Sequence, residues 1–480
     1  MNRYEGPGRF SGGLFFLGGK GLTPISIRVT VKKRNKNPGI GIISLGCAKN
    51  LIDSERILGV LGASGFAICA EPEDADAVIV NTCAFIEAAR RESVEAINYA
   101  LSLKRAGRIS RVIVAGCLAQ RYRESVLDDI PGVDAVVGIH DFESFPRVFR
   151  SIFDGAPDKR PNASSTFRLS QPVRPDTGRL RITPRHFAYL RISEGCDNCC
   201  AYCAIPEIRG PLRSKPFDAV VEEARELAAD GAREIIVVGQ DTTSYGRDIY
   251  KNNRLPELVR RLAAVNRVRW IRILYTHPAH YSDEFIEIFS DTPKLLPYVD
   301  VPIQHSSDRV LERMGRGVKR CDLEALVEKL RRRIKGLALR TSIIVGFPGE
   351  TDEDFAGLLD FIRAVRFDRL GAFAYSQEEG TPAAGFDGQV SGRVKQERLH
   401  ELMTLQQEIS LETNRQFIGR QMEVVIDEVS GRAATARSYR EAPDVDGAVL
   451  LRSKKPLKPG QFIKVKITAA GPYDLNAVTV

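Results

Sequence analysis

The sequence predicts an α/β protein in three parts: a doubly wound amino-terminal sheet, six strand–helix units that fit a partial (βα)6 barrel, and a small carboxyl-terminal β-barrel. Three observations predict it. Between Gly39 and about Ile152 an apolar run leads three times to a cysteine and then a helical stretch. From Phe187 to Tyr375 six more apolar runs alternate with helical ones, and past Gly419 the pattern turns to short alternating strands split by turn residues such as Lys458-Pro459-Gly460. Strand–helix alternation makes parallel sheets, whereas closely spaced alternating strands make barrels or sandwiches.

Each element follows in order. Ile40 to Leu45 leads to Gly46-Cys47 and a helix from about Asn50 to Leu61. Ala77 to Asn81 leads to Thr82-Cys83 and a helix from about Phe85 to Leu103, and Arg111 to Ala115 leads to Gly116-Cys117 and a helix through about Val126. The carboxyl ends of parallel strands share one edge, where ligands bind. Cys47, Cys83 and Cys117 all stand just past such ends, so they are expected to converge on one site. A single free cysteine is often only a small buried apolar residue; three in the same strand-end position are a ligand pattern. Cys69 follows no such unit and reads as core.

Residues 155–184, with five prolines between Pro157 and Pro184, read as a linker or an irregular covering segment between a domain at 39–154 and one at 185–415. The second domain takes its strands from Phe187–Ile192, Glu234–Gly239, Trp270–Tyr275, Tyr298–Ile303, Arg340–Gly346 and Leu370–Tyr375. Catalytic groups of such barrels gather at the carboxyl ends of strands. The polar residues there are Gln240, Asp241, Thr276, His277, Gln304, His305 and the run Gly346-Phe347-Pro348-Gly349-Glu350. Gln304-His305 suits either a substrate contact or a structural hydrogen-bonder, and Arg340, opening its strand, suits the core. A charged helix from Gly392 to Asn414 bridges to the last domain, 416–480.

Composition narrows the function classes. The formal net charge is +9, but residues 1–38 carry eight Lys/Arg against Glu5 alone, so the rest of the chain is nearly neutral. That glycine-rich leader reads as disordered. No apolar run approaches the ~18 residues of a membrane span. Nine cysteines without a secretion signal point to a reducing cytoplasm, where thiols stay available to metals.

Four of those cysteines fall within eight residues: Cys196, Cys199, Cys200 and Cys203. Two ligand sets compete. The pairs Cys196/Cys199 and Cys200/Cys203 would make a tetrathiolate zinc site whose knuckles have no residue between them, which is sterically poor. Cys196-x-x-x-Cys200-x-x-Cys203 gives three thiolates on one loop, leaving one iron of a cubane 4Fe–4S cluster without a protein ligand. Cys199 is then surplus.

This second spacing resembles that of the radical S-adenosylmethionine (SAM) enzymes. The resemblance implies that the open iron chelates SAM and that one electron cleaves it to a 5′-deoxyadenosyl radical. It becomes more specific in Ile43-Ser44-Leu45-Gly46-Cys47-Ala48-Lys49-Asn50, Asn81-Thr82-Cys83-Ala84-Phe85-Ile86-Glu87 and Ala115-Gly116-Cys117-Leu118-Ala119-Gln120-Arg121-Tyr122, which are similar to the amino-terminal domain of the methylthiotransferases. Membership implies a second, auxiliary 4Fe–4S cluster on Cys47, Cys83 and Cys117 and insertion of a methylthio group into an unactivated C–H bond. It also implies SAM contacts, for which Gln240, Gln304, Gly346 and Gly349 are the candidates, a TRAM module at the carboxyl terminus, and an electron donor such as a flavodoxin or ferredoxin. No catalytic side chain is singled out.

Two branches of that family differ in substrate: an aspartate of ribosomal protein uS12, or a tRNA adenosine. The stretches Tyr298-Val299-Asp300-Val301-Pro302-Ile303-Gln304-His305 and Arg437 to Gly447 resemble the first branch. The acidic residues of the latter suit a basic protein partner better than a polyanion, so uS12 is expected and tRNA is the alternative. An electron-transfer protein would complete four thiolates per cluster, and an RNA-binding scaffold leaves the strand-end cysteines unexplained.

Overall fold

The protein is described by a computed structural model covering residues 38–140, 142–154 and 173–480. The expected leader, Pro38 apart, and residues 155–172 of the expected linker lie outside the described residues.

The first sheet comprises β1 (Gly39–Ser44), β2 (Ala67–Ile68), β3 (Ala77–Thr82), β4 (Arg111–Gly116) and β5 (Ala135–Val137), all parallel in the order β2-β1-β3-β4-β5. Its near-continuous Val/Ile runs follow from burial on both faces. On one face Val78, Val80, Val112 and Val114 meet α2 (Glu87–Arg105) through Ile97 and Leu101; on the other, Ile79 and Ile113 meet α1 (Ala48–Ala63) and α5 (Phe145–Asp154) through Leu61 and Phe149. The chain reverses direction across the sheet between β1 and β3, which places the ligand edge there. The helix expected to run through Val126 is two, α3 (Cys117–Tyr122) and α4 (Ser125–Asp129), because Arg123 takes φ +52° and breaks it. No glycine or proline marks that break.

The second sheet has six parallel strands: β6 (Phe187–Arg191), β9 (Glu234–Val238), β10 (Trp270–Ile273), β11 (Leu295–Asp300), β12 (Ala338–Val345) and β13 (Arg369–Ala374), in the order β13-β12-β11-β10-β9-β6. Sequential neighbours pair throughout, and the two end strands stay unpaired to each other, so the barrel is partial. A short antiparallel pair, β7 (Ser193–Glu194) and β8 (Arg213–Ser214), brackets the cysteine loop and α6 (Ile205–Arg209). Outward-facing Leu190, Ile235, Val237 and Ile271 pack on helix α7 (Phe217–Ala229) and its neighbours. Inward-facing Tyr189, Ile236, Trp270 and Tyr298 pack on Ile52 of α1 and on Val425 and Ala442 of the last domain.

That last domain is a closed barrel of β14 (Gln421–Ser430), β15 (Ala433–Arg437), β16 (Val449–Arg452), β17 (Phe462–Ala470) and β18 (Leu475–Thr479). The helix Gly392–Arg415 reaches it as expected: Asn414 Nδ2 donates to the carbonyls of Gly471 and Pro472 at 3.0 and 3.2 Å.

The loop between β15 and β16 corrects the charge argument made for the substrate. Glu441 and Asp446 turn inward, while Asp444 stays exposed although it accepts a bond from the barrel. Tyr298 Oη donates to Asp446 at 2.7 Å, Tyr189 Oη to Asp444 at 3.0 Å, and Arg369 pairs with Glu441 at 2.9 Å. Glu441 and Asp446 are spent on the open side of the partial barrel, which leaves Asp444 as the loop's acid open to a basic partner. Residues 173–184 are likewise anchored: Asp176 is fully buried between Arg191 and Lys215, both at 2.7 Å, and Arg179 pairs with Glu55.

Candidate functional site

Two glycines set the amino-terminal cysteines. A Cβ on Gly116 (φ +91°) would stand 2.3 Å from Asn81 Oδ1, and one on Gly46 (φ +87°) would stand 2.9 Å from Cys83 Cβ and 3.3 Å from its Sγ. Only glycine fits both the torsion and the space. The strand ends of β1, β3 and β4 are thereby drawn together, and Asn50 ties them. Its Nδ2 donates to the carbonyls of Leu45 and Thr82 at 2.7 and 3.0 Å, while its Oδ1 faces Cys117 Sγ at 3.8 Å.

The three thiols share one electrostatic environment. Burial pushes Cys83 up, and so do the charges that Cys117 and Cys47 would carry. Cys117 is raised by burial against the pull of Arg209. At Cys47 burial is overcome by Lys49, Arg209 and the Asn50 and Lys49 amides, and its thiol lies below the usual value.

The second loop is pinned by backbone bonds: Cys196 N–H to Gly210 C=O at 3.1 Å, Ala201 N–H to Met314 C=O at 2.9 Å, and Ala383 N–H to Ala201 C=O at 2.9 Å. Gly195, at φ +69°, has its missing Cβ 2.0 Å from the Pro211 carbonyl. Burial raises Cys196 to about 11 and Cys203 to about 12. Buried thiols of this kind become thiolates when a cation joins them.

The sulfur partners divide the nine cysteines. Six have N–H groups beside them: Arg209 Nη2 donates to Cys117 (3.6 Å), Asn198 to Cys196 (3.4 Å) and Arg316 Nη1 to Cys200 (3.4 Å), while the amides of Asn50 and Lys49, of Phe85 and of Ile205 favour the thiolates of Cys47, Cys83 and Cys203. Donors to sulfur are what a thiolate cluster requires. Cys69, Cys199 and Cys321 instead lie against oxygen atoms of Asp74, Asp197 and Asp322, with Cys199 and Cys321 exposed. Among the described residues no three His, Cys, Asp or Glu side chains gather closely enough for a single metal ion.

Helix α6 joins the two sets. It begins just after Cys203-Ala204, spans about 7 Å at 1.5 Å per residue, and ends at Arg209. Ala204 and Ile208 pack in the same core as Cys117, Leu118 and Ala119. Arg209, fully buried, donates to Glu194 at 3.0 Å, Asp53 at 2.8 Å and Asn50 at 3.3 Å besides Cys117. Arg191 pairs with Asp53 at 2.5 Å and with Glu194, and Lys215 joins Asp176 to Glu223. Burial opposes charge on Glu194, but Arg191 and Arg209 hold its carboxyl down to about 2.

Of the strand-end residues, Asp241 is saturated: Ser244 Oγ, His280 Nδ1 and Asn198 Nδ2 meet its Oδ2 at 2.7, 2.8 and 2.9 Å, and the Thr243 amide its Oδ1 at 3.0 Å. It holds Asn198 against Cys196. His277 and His305 are buried, which drops each to about 3, and each leaves Nε2 without a hydrogen bond among the described residues. Gln304 sits half-buried at φ +72°, its amide donating to Ser342 C=O and its carbonyl accepting from Ile344 N–H. Gln240 lies half-buried at the end of β9. At Gly346 (φ +70°) a Cβ would meet Lys395 Cγ at 2.3 Å, and the amide donates to Glu350 at 2.6 Å, so internal packing alone demands this glycine. Gly349, at φ +82°, donates to Gly388 C=O at 2.7 Å. Asn50, Asn198, Arg209 and Arg316 were not picked out from the sequence. Only the adjacency of Asn50 and Asn198 to cysteines could have signalled them.

Residues 190–362 match the family model of the radical SAM superfamily, 39–138 that of uncharacterized protein family UPF0004, and 418–480 that of the TRAM domain. The chain is 45% identical to ribosomal protein uS12 methylthiotransferase RimO of Desulforamulus reducens, over 91% of this chain and 98% of that one. It is 46% identical to the protein of the same name from Desulforudis audaxviator, over 91% and 96%. The radical SAM methyltransferase TsrM of Kitasatospora setae, solved with cobalamin and a 4Fe–4S cluster, matches in fold at TM-score 0.52 and 14% identity, over 83% of this chain and 80% of that one.

Proposed function

Because this chain belongs to the ribosomal protein uS12 methylthiotransferase family, we propose that it attaches a methylthio group to the β-carbon of an aspartate of uS12. It is a radical SAM methylthiotransferase, using SAM and two 4Fe–4S clusters. The residue assignment rests on the set of six sulfurs that N–H groups approach: Cys196, Cys200 and Cys203 for one cluster, Cys47, Cys83 and Cys117 for the other.

When bound, the first cluster supplies the electron that cleaves SAM and the second the sulfur to be transferred. The chain supplies place and polarity. Asp241 orients Asn198 toward Cys196, and Arg316, fixed to the Pro302 carbonyl at 2.5 Å, orients toward Cys200. Helix α6 sets the spacing of the two sites, and Arg209 balances charge between them. Gln240, Gln304, Gly346 and Gly349 line the strand ends where SAM would lie. On the inner face of the barrel α1 and the loop around Ala442 keep water out. Reduction calls for a one-electron donor such as a flavodoxin or ferredoxin, and a ribosomal-protein substrate supports a cytoplasmic location. Among the described residues no helix is long and apolar enough to cross a membrane.

Mass spectrometry of uS12 and of tRNA from a deletion strain tests this. The methylthio group is expected to vanish from uS12 and to remain on tRNA. Loss from tRNA with uS12 unchanged would assign the other substrate.

A further inference from the structure

Lys49, buried at the junction of the cysteine sites, has no carboxylate partner among the described residues; the charge it feels most is that of Cys47. Lys49 lies in the first turn of α1, two residues past Cys47, and is 5% exposed. Its Nζ stands 3.4 Å from the centroid of the Tyr275 ring, at the carboxyl end of β10, so the side chain reaches from the amino-terminal domain to the catalytic edge of the barrel. Among the described residues its ammonium makes no ion pair and no hydrogen bond. Its neighbours differ. Arg191, Arg209, Lys215 and Arg340 are equally buried, and each has a carboxylate within 3 Å.

The nearby acids are committed elsewhere. Glu194 serves Arg191 and Arg209, while Asp300 accepts from Arg340 at 2.7 Å and from the Tyr275 amide at 2.8 Å. Tyr275 itself is held at φ +61°, a torsion that residues other than glycine seldom adopt and that surroundings must enforce. A ring face is a weak substitute for a carboxylate beside a desolvated ammonium. Burial lowers the pKa of this ammonium while the charges of Cys47, Glu194 and Asp300 support it, and its Nζ, on the ring face, is free to take a carboxylate.

We propose that Lys49 is the counter-ion of the substrate's aspartate carboxylate, holding it between the two cysteine sites. This rests on the reading that uS12 is the substrate. The carbon to be modified is bonded to that carboxylate, which must leave water to reach the site, and a buried anion needs a paired cation. An adenine base carries no such charge, so the same lysine would stay unpaired with a tRNA substrate and select against it.

The test uses the full chain, anaerobically reconstituted, and two peptides: one spanning the uS12 target aspartate, the other with asparagine in its place. Peptide affinity is read by fluorescence anisotropy, SAM affinity and iron content separately. The wild type is expected to prefer the aspartate peptide about tenfold or more. Lys49→Met should bind both peptides equally, with SAM affinity and iron content unchanged, and Lys49→Arg should keep part of the preference. Undiminished preference in Lys49→Met overturns the proposal. So does a loss of SAM affinity, which would give the lysine to the SAM carboxylate, or a loss of iron, which would give it to the Cys47 thiolate. If the wild type modifies the aspartate peptide and any of these occurs, this inference alone fails; if the wild type neither binds nor modifies it, the substrate reading fails as well.

Discussion

Replacing Cys196, Cys200 and Cys203 by alanine is expected to abolish formation of 5′-deoxyadenosine from SAM while the other site still takes up iron and sulfide. The loop does not depend on those side chains for its shape. Backbone bonds from Cys196 to Gly210 and between Ala201, Met314 and Ala383 hold it, and Gly195 is locked against the Pro211 carbonyl. The amino-terminal trio rests on a different sheet, fixed by Gly46, Gly116 and Asn50. Chromatography of the SAM products together with iron analysis checks both halves. Loss of iron from both sites at once would mean that they assemble as one unit.

Arg209→Met should carry a large penalty. It leaves Asp53 and Glu194 buried with only Arg191 to share, and breaking a buried ion pair by removing one partner costs about 3–5 kcal/mol. It also removes the N–H donor from Cys117, so the loss is expected in thermal unfolding and in the reduction potential of the Cys47/Cys83/Cys117 cluster together. Asp53→Asn in the same chain should recover part of the lost stability, because the two residues belong to one network and their effects are not additive. Strictly additive losses would show that Arg209 acts apart from Asp53.

Some of this was legible in the chain and some was not, for physical reasons. The strands of both sheets announce themselves because parallel strands buried on two faces must be nearly all Val, Ile, Leu or Ala, as in Ala77–Val80 and Ile235–Val238. The cysteines announce themselves because three strand ends of one sheet share an edge. Arg209 did not, since its meaning depends on Cys117, 92 residues away, and on a five-residue helix that brings them together. Two of the acids between Arg437 and Gly447, Glu441 and Asp446, were hidden for the same reason. Charge on a sequence reads as charge on a surface until Tyr298 and Arg369 are seen to take it inward. Lys49 was visible only as part of a motif, and its lack of a partner is a property of the folded junction.

Iron and acid-labile sulfide in the anaerobically reconstituted full chain probe the two sites most directly. Three thiolates at each of two sites predict about eight of each per chain. About four, or none, would contradict them.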